Sequence, residues 1–165
     1  PNGVQLLQGD IQGLKELAGR AIAPPPAEIV RRVPGARARV YVMWDIIDEA
    51  LAKRVLDVLD GVVDVQFPLF DAEPAESRQE QARALAEVEG VVMVWGQARD
   101  LWHRQQVREV EGAGPRRASL FGGKCSVFGA PFDAIPKRAS LPGWRRLREE
   151  QSEFADALSA WAREL

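Results

Sequence analysis

The chain has 165 residues, 46% of them hydrophobic and 28% charged, enough to bury one core and too apolar for a disordered acidic tail. With 22 Lys and Arg against 24 Asp and Glu the net charge is −2, which argues against a protein that coats nucleic acid. A single Cys and a single His exclude a disulfide framework within the chain and any multi-cysteine or His-rich metal site, so no metal is expected.

Pro1-Asn2-Gly3 opens the chain without a Met and reads as a cut from a longer protein. No secretory signal is visible, and no apolar run approaches the roughly 20 residues of a membrane helix. A cytoplasmic module with no membrane partner is therefore expected. Residues 4–22 carry Leu7, Ile11, Leu14, Leu17 and Ala18 at helical spacing, weakened by Gly9, Gly13 and Gly19. Pro24-Pro25-Pro26 ends that segment. Residues 1–36 are read as an N-terminal helix with a Pro-rich connector, and 37–165 as the main domain.

Val40-Tyr41-Val42-Met43-Trp44 is a β-branched and aromatic run suited to a strand buried on both faces. Asp48 stands where it would cap a helix over 49–60, with Ile47, Leu51, Val55 and Val58 on one stripe and Gly61 as the stop. A second strand is expected over 62–67, ended by Pro68, and a helix over 74–89 with Pro74 in its first turn and Gly90 as its close. Val91-Val92-Met93-Val94-Trp95 reads as the third strand, followed by a helix over 99–111. After a Gly-rich basic loop, 124–129 is a fourth strand, 130–143 is irregular, and a last helix runs from 143 to the end. Strands alternating with helices imply an α/β fold, a flavodoxin-like parallel sheet with helices on both faces.

Local charge says more than the total. Residues 45–90 hold 12 acids and 4 bases, while residues 103–148 hold 10 bases and 3 acids. The two blocks are read either as solvated faces or as complementary surfaces that stack copies head to tail. The basic half (Arg116, Arg117, Lys124, Lys137, Arg138, Arg145, Arg146 and Arg148) is not interleaved with stacking aromatics, so nucleic acid ranks last among its partners.

No residue set announces a catalyst by spacing. Gly122-Gly123-Lys124-Cys125 fails the phosphate-loop pattern, because a strand follows it and the Ser or Thr is missing. There is no G-x-G-x-x-G. Asp45, Asp48 and Asp71 follow strands as they would in a receiver domain, but Gly96-Gln97 replaces the phosphoacceptor Asp, so they read as caps and loop solvators. His103 is read as a surface or half-buried helix residue, and Cys125 as a small apolar filler. Trp44, Trp95 and Trp102 are read as core, with a base-stacking surface as the alternative.

From residue 39 onward the chain resembles a Toll/interleukin-1 receptor (TIR) domain. More narrowly it resembles the divergent TIR-like domains of bacterial STAND-type signalling and defence proteins. Four segments carry the resemblance in order. They are Val40-Tyr41-Val42-Met43-Trp44-Asp45-Ile46-Ile47-Asp48, then Phe67-Pro68-Leu69-Phe70-Asp71-Ala72-Glu73. Val91-Val92-Met93-Val94-Trp95-Gly96 with Leu101-Trp102 follows, and Lys124-Cys125-Ser126-Val127-Phe128-Gly129-Ala130-Pro131 comes last. Active members cleave the nicotinamide–ribose bond of NAD with a glutamate in a W-C-x-x-E pattern. If Trp102 takes the place of that tryptophan, the glutamate position is Gln106, which has no charge. Glu109 lies one turn further on the same helix face. The resemblance then implies a non-catalytic module with no cofactor, acting through self-association or pairing with other TIR-like domains inside a larger chain. Asp45, Asp48, Pro68, Asp71, Glu73, Arg145 and Arg146 are its expected contact residues. The alternative is an NAD glycohydrolase, with NAD as substrate and Glu109 or Glu73 as the carboxylate.

Overall fold

The computed structural model describes residues 35–71, 73–112, 123–132, 137 and 141–165. The expected N-terminal helix, the Pro-rich connector up to residue 34, and Arg116, Arg117 and Arg138 lie outside them.

Strand β1 (Arg39–Met43) leads through a single 3-10 turn (Ile46–Asp48) into α1 (Glu49–Leu59). Next come β2 (Asp64–Gln66), α2 (Pro74–Glu87), β3 (Gly90–Trp95) and α3 (Asp100–Gly112). The chain closes with β4 (Gly123–Phe128), β5 (Trp144–Arg148) and α4 (Phe154–Arg163). All neighbouring strands pair in parallel, in the order β2-β1-β3-β4-β5. This is the expected flavodoxin-like α/β architecture, a parallel sheet with helices on both faces.

Alternation along the strands builds a core on each face. Val40, Val42, Val92, Val94, Cys125, Val127 and Leu147 meet Leu51, Val55 and Leu59 of α1 and Phe154, Leu158 and Trp161 of α4. On the other face Tyr41, Met43, Val91, Met93 and Trp144 meet Leu85 of α2 and Val110 of α3. Gly61, at φ +71°, lets the chain leave α1, and the amides of Val62 and Val63 then bond back to the Leu59 carbonyl at 3.0 and 3.3 Å.

The structure corrects the reading at the C-terminus. Residues 144–148 are not the start of the last helix but a fifth strand, paired with β4 from Lys124↔Trp144 to Phe128↔Arg148. Trp144 and Leu147 are three apart, a helical interval, yet in a strand that interval places them on opposite faces. Each joins a different core, which is why the edge strand imitated a helix. Gly90 does not close α2, which ends at Glu87, but opens β3. β2 is shorter than expected. Ile47 does not join the buried stripe of α1, because the 3-10 turn ahead of the helix rotates it outward to 55% exposure.

Candidate functional site

The chain passes from β1 outward to β2 and then back across to β3, so the strand order reverses between β1 and β3. In such sheets ligands settle at the carboxyl ends of the strands at this point. Here a crevice of about 360 Å³ opens there, walled by Asp45 and Ile47 after β1 and by Gln97, Ala98, Arg99, Leu101, Trp102 and Gln105 after β3.

Asp48 holds that second wall in place. Its carboxylate is buried and accepts three consecutive backbone N–H groups, from Gly96 (3.0 Å), Gln97 (2.6 Å) and Ala98 (3.1 Å). A Cβ on Gly96 would stand 2.8 Å from Asp48 Oδ1, so only glycine admits this approach. The expected capping of α1 by the Asp48 side chain is therefore corrected: the carboxylate turns across the sheet. Asp45 caps the 3-10 turn ahead of α1, with Oδ1 accepting from the Ile47 amide at 3.2 Å, and no side chain caps α1 itself. The Trp95 indole donates to the Ala98 carbonyl at 2.8 Å, and His103 stacks on Trp95 at 3.9 Å. His103 is thus buried, not half-exposed.

The crevice offers an aromatic face (Trp102), a guanidinium (Arg99), a carboxylate (Asp45) and two amides (Gln97, Gln105). That set suits a planar ring bearing anionic or hydroxyl groups. Gln106 and Glu109 are not among the lining residues. They turn to α2, where the Gln81 amide donates to Gln106 Oε1 at 2.8 Å and to Glu109 Oε2 at 2.7 Å. Beneath them burial, with the charges of Glu109 and Glu80, pushes the Tyr41 hydroxyl well above its usual range. Burial likewise pushes the Cys125 thiol up to about 12, which fits a filler and not a nucleophile.

The remaining candidates lie apart. Pro68 is half-buried, and Asp71 and Glu73 are exposed, in the loop between β2 and α2. Arg145 and Arg146 are exposed on β5, at the far edge of the sheet. Sequence reasoning missed Gln97, Arg99 and Gln105, and it missed that Ile46, Ile47, Phe67, Leu69, Phe70 and Leu101 stand exposed. Phe67 and Phe70 beside Pro68, after a short strand, were the one visible signal. Among the described residues no three potential ligand side chains gather as a metal site, and no helix is long and apolar enough to cross a membrane.

No family model matches the sequence, and no curated protein matches it. Among solved structures the fold is similar to a metazoan TIR-STING receptor from C. gigas, determined in complex with 2',3'-cGAMP. The match has a TM-score of 0.55 and 14% identity, and covers 81% of this chain and 41% of the receptor. The likeness is one of fold, and the chain spans about two fifths of the receptor's length.

Proposed function

We propose that this chain is a non-catalytic TIR-like signalling module of a larger cytoplasmic protein of the bacterial STAND-type defence class, and that it works by homotypic association. The observation that carries the reading is where the two charge blocks fall. The acidic block borders the β2 edge, where Asp60, Asp64, Asp71 and Glu73 are exposed. The basic block ends on the opposite edge, where β5 exposes Arg145 and Arg146. With five strands the two edges are roughly 19 Å apart. That exceeds the Debye length of about 8 Å in physiological salt, so salt screens the two edges from each other and neither cancels the other's local field. Arg145 pairs with Glu164 at 3.0 Å and Arg148 with Glu150 at 3.2 Å, but such exposed pairs are weak and exchange readily. Unlike edges at opposite ends of one sheet favour a heterologous, head-to-tail stack. Sedimentation across salt concentrations tests it: association should fall as salt rises and should be lost in Arg145→Glu/Arg146→Glu. Sedimentation of that variant indistinguishable from wild type sinks the reading.

One observation favours a second reading, NAD cleavage: the switch-point crevice brings Trp102 and the carboxylate of Asp45 to one opening. A carboxylate there would hold ribose hydroxyls or offset an oxocarbenium-like sugar. Incubation of concentrated protein with NAD decides. Nicotinamide release that disappears in Asp45→Asn, or in Glu109→Gln, would replace the first reading with this one.

A further inference from the structure

At the amino end of the sheet, away from the crevice, a second opening of about 260 Å³ lies beside β1. Three parts of the chain wall it: residues 35–38 leading into β1, Val62 between α1 and β2, and Ala162, Arg163 and Leu165 at the end of α4. Ala38 and Ala162 are buried in its floor, and their single methyl groups leave the space unfilled. Arg37 and Arg163 are exposed at its rim. The carboxylates nearby are taken by other arginines. Arg39, two residues on from Arg37, pairs with Glu87 and Glu89 at 3.7 and 3.5 Å. Glu164, the neighbour of Arg163, pairs with Arg145 at 3.0 Å. Asp64, whose amide bonds the Ala38 carbonyl at 2.8 Å, is exposed and does not line the cleft. Among the described residues Arg37 and Arg163 thus have no carboxylate partner, and one opening receives both. Arg163 stands in the last turn of α4, where a cation also complements the carbonyl end of the helix. Arg37 belongs to no helix, so helix ends do not account for the pair.

We propose that this cleft is a binding site for a small phosphomonoester, with the phosphate between Arg37 and Arg163 and a short carbon chain against Ala38, Val62 and Ala162. Charge selects the phosphate. Two guanidiniums match a dianion, and a phosphomonoester carries about −1.5 to −2 at pH 7 where a carboxylate carries one charge. The guanidinium fork also fits phosphate oxygens in bidentate pairs. Size selects a small ester, because drug-sized ligands and cofactors occupy about 300–1,000 Å³. A bound dianion ties the segment that enters β1 to the last helix. The site depends neither on association of copies nor on the crevice at the other end of the sheet.

The test is a titration of the isotope-labelled 165-residue chain with propyl phosphate in about 0.15 M salt, followed by amide NMR. The amides of Ala38, Val62 and Ala162 should shift together and saturate, with a Kd on the order of 1 mM or tighter. Inorganic phosphate should bind at least about threefold more weakly, because it buries no CH₂ group. Butyrate, with the same carbon chain and a single charge, should bind at least about tenfold more weakly. Arg37→Gln and Arg163→Gln, with circular dichroism unaltered, should each weaken propyl phosphate at least about tenfold. Arg37→Lys, which keeps the charge and loses the fork, should fall between Arg37→Gln and wild type. Arg145→Glu/Arg146→Glu should leave binding unchanged. Shifts that gather on β5 and vanish in Arg145→Glu/Arg146→Glu would mean a phosphate drawn to the basic edge, and overturn the proposal. A response indifferent to both Arg37→Gln and Arg163→Gln overturns it too, as does butyrate binding as tightly as propyl phosphate. So does the lack of any saturable shift up to about 20 mM.

Discussion

The two ends of the sheet are built to opposite specifications. At the amino end Gly90 and Gly123, paired in register on β3 and β4, lie against Trp161 and Leu165 with no room to spare. A Cβ on Gly123 would stand 2.5 Å from Trp161 Nε1, and one on Gly90 would stand 2.6 Å from Leu165 Cδ1. At the carboxyl end six large apolar side chains face outward and a crevice opens between two loops. The amino end is sealed beneath β3 and β4, with a smaller cleft of about 260 Å³ beside β1 at Ala38, Val62 and Leu165, and the difference between the two ends separates stability from contact. Changes at the sealed end should unfold the protein. Changes on the outer surface of the open end should alter what it touches and leave its stability alone.

The largest expected effect tests whether the open end is held from beneath. Asp48→Ala would strip three N–H groups of their acceptor, two of them on buried residues, and should destabilise the fold by about 3 kcal/mol in urea unfolding. Asp48→Asn, which keeps an acceptor oxygen, should lose about half as much. A loss below about 0.5 kcal/mol for Asp48→Ala would show that the crevice wall stands without it.

Gly123→Ala probes the sealed end. The new methyl has to displace the buried Trp161 ring, and about 2 kcal/mol of stability should be lost. Leu101→Ser, on the open end, should change stability by no more than about 0.5 kcal/mol, because its side chain is already 68% exposed. Equal losses from these two substitutions would erase the contrast.

The smallest effect lies on the flank of the sealed end. Glu111 accepts from Lys124 Nζ at 2.9 Å and from Trp144 Nε1 at 3.1 Å, and these donors hold its carboxyl below the ordinary 4.5. A depressed folded-state value contributes stability above the ordinary range and loses it as the pH falls through the folded value. Because the side chain is 49% exposed, Glu111→Gln should cost under about 1 kcal/mol at pH 7. The gap from wild type should close as the pH drops below 4.5, seen in thermal melts across pH.

Most of the fold was legible, because β1 and β3 are near-continuous apolar runs and Gly61 and Pro74 mark helix boundaries. β5 was not, since its two buried residues serve opposite faces and so fall three apart. The site was legible only in outline. Trp102 was singled out and does line the crevice, but the rotation of α3 about its axis decides which neighbours join it. That rotation selects Gln105 for the crevice and sends Gln106 and Glu109 to Gln81, a choice made by packing against α2 and not by local spacing. Asp48 reads as a cap from its position alone. Its true partners lie about 50 residues away in the chain, where no local pattern reaches.

Head-to-tail joining of unlike edges, the proposed mode of association, can be tested by mixing two charge variants. Two variants are made, one with Arg145→Glu/Arg146→Glu and one with Asp60→Lys/Asp64→Lys/Asp71→Lys/Glu73→Lys. Each carries like charge on both edges. At low salt each alone should sediment as a monomer, and an equimolar mixture should assemble again, because every edge then faces its opposite. A mixture that stays monomeric, or either variant assembling alone as the unaltered chain does, would contradict head-to-tail joining.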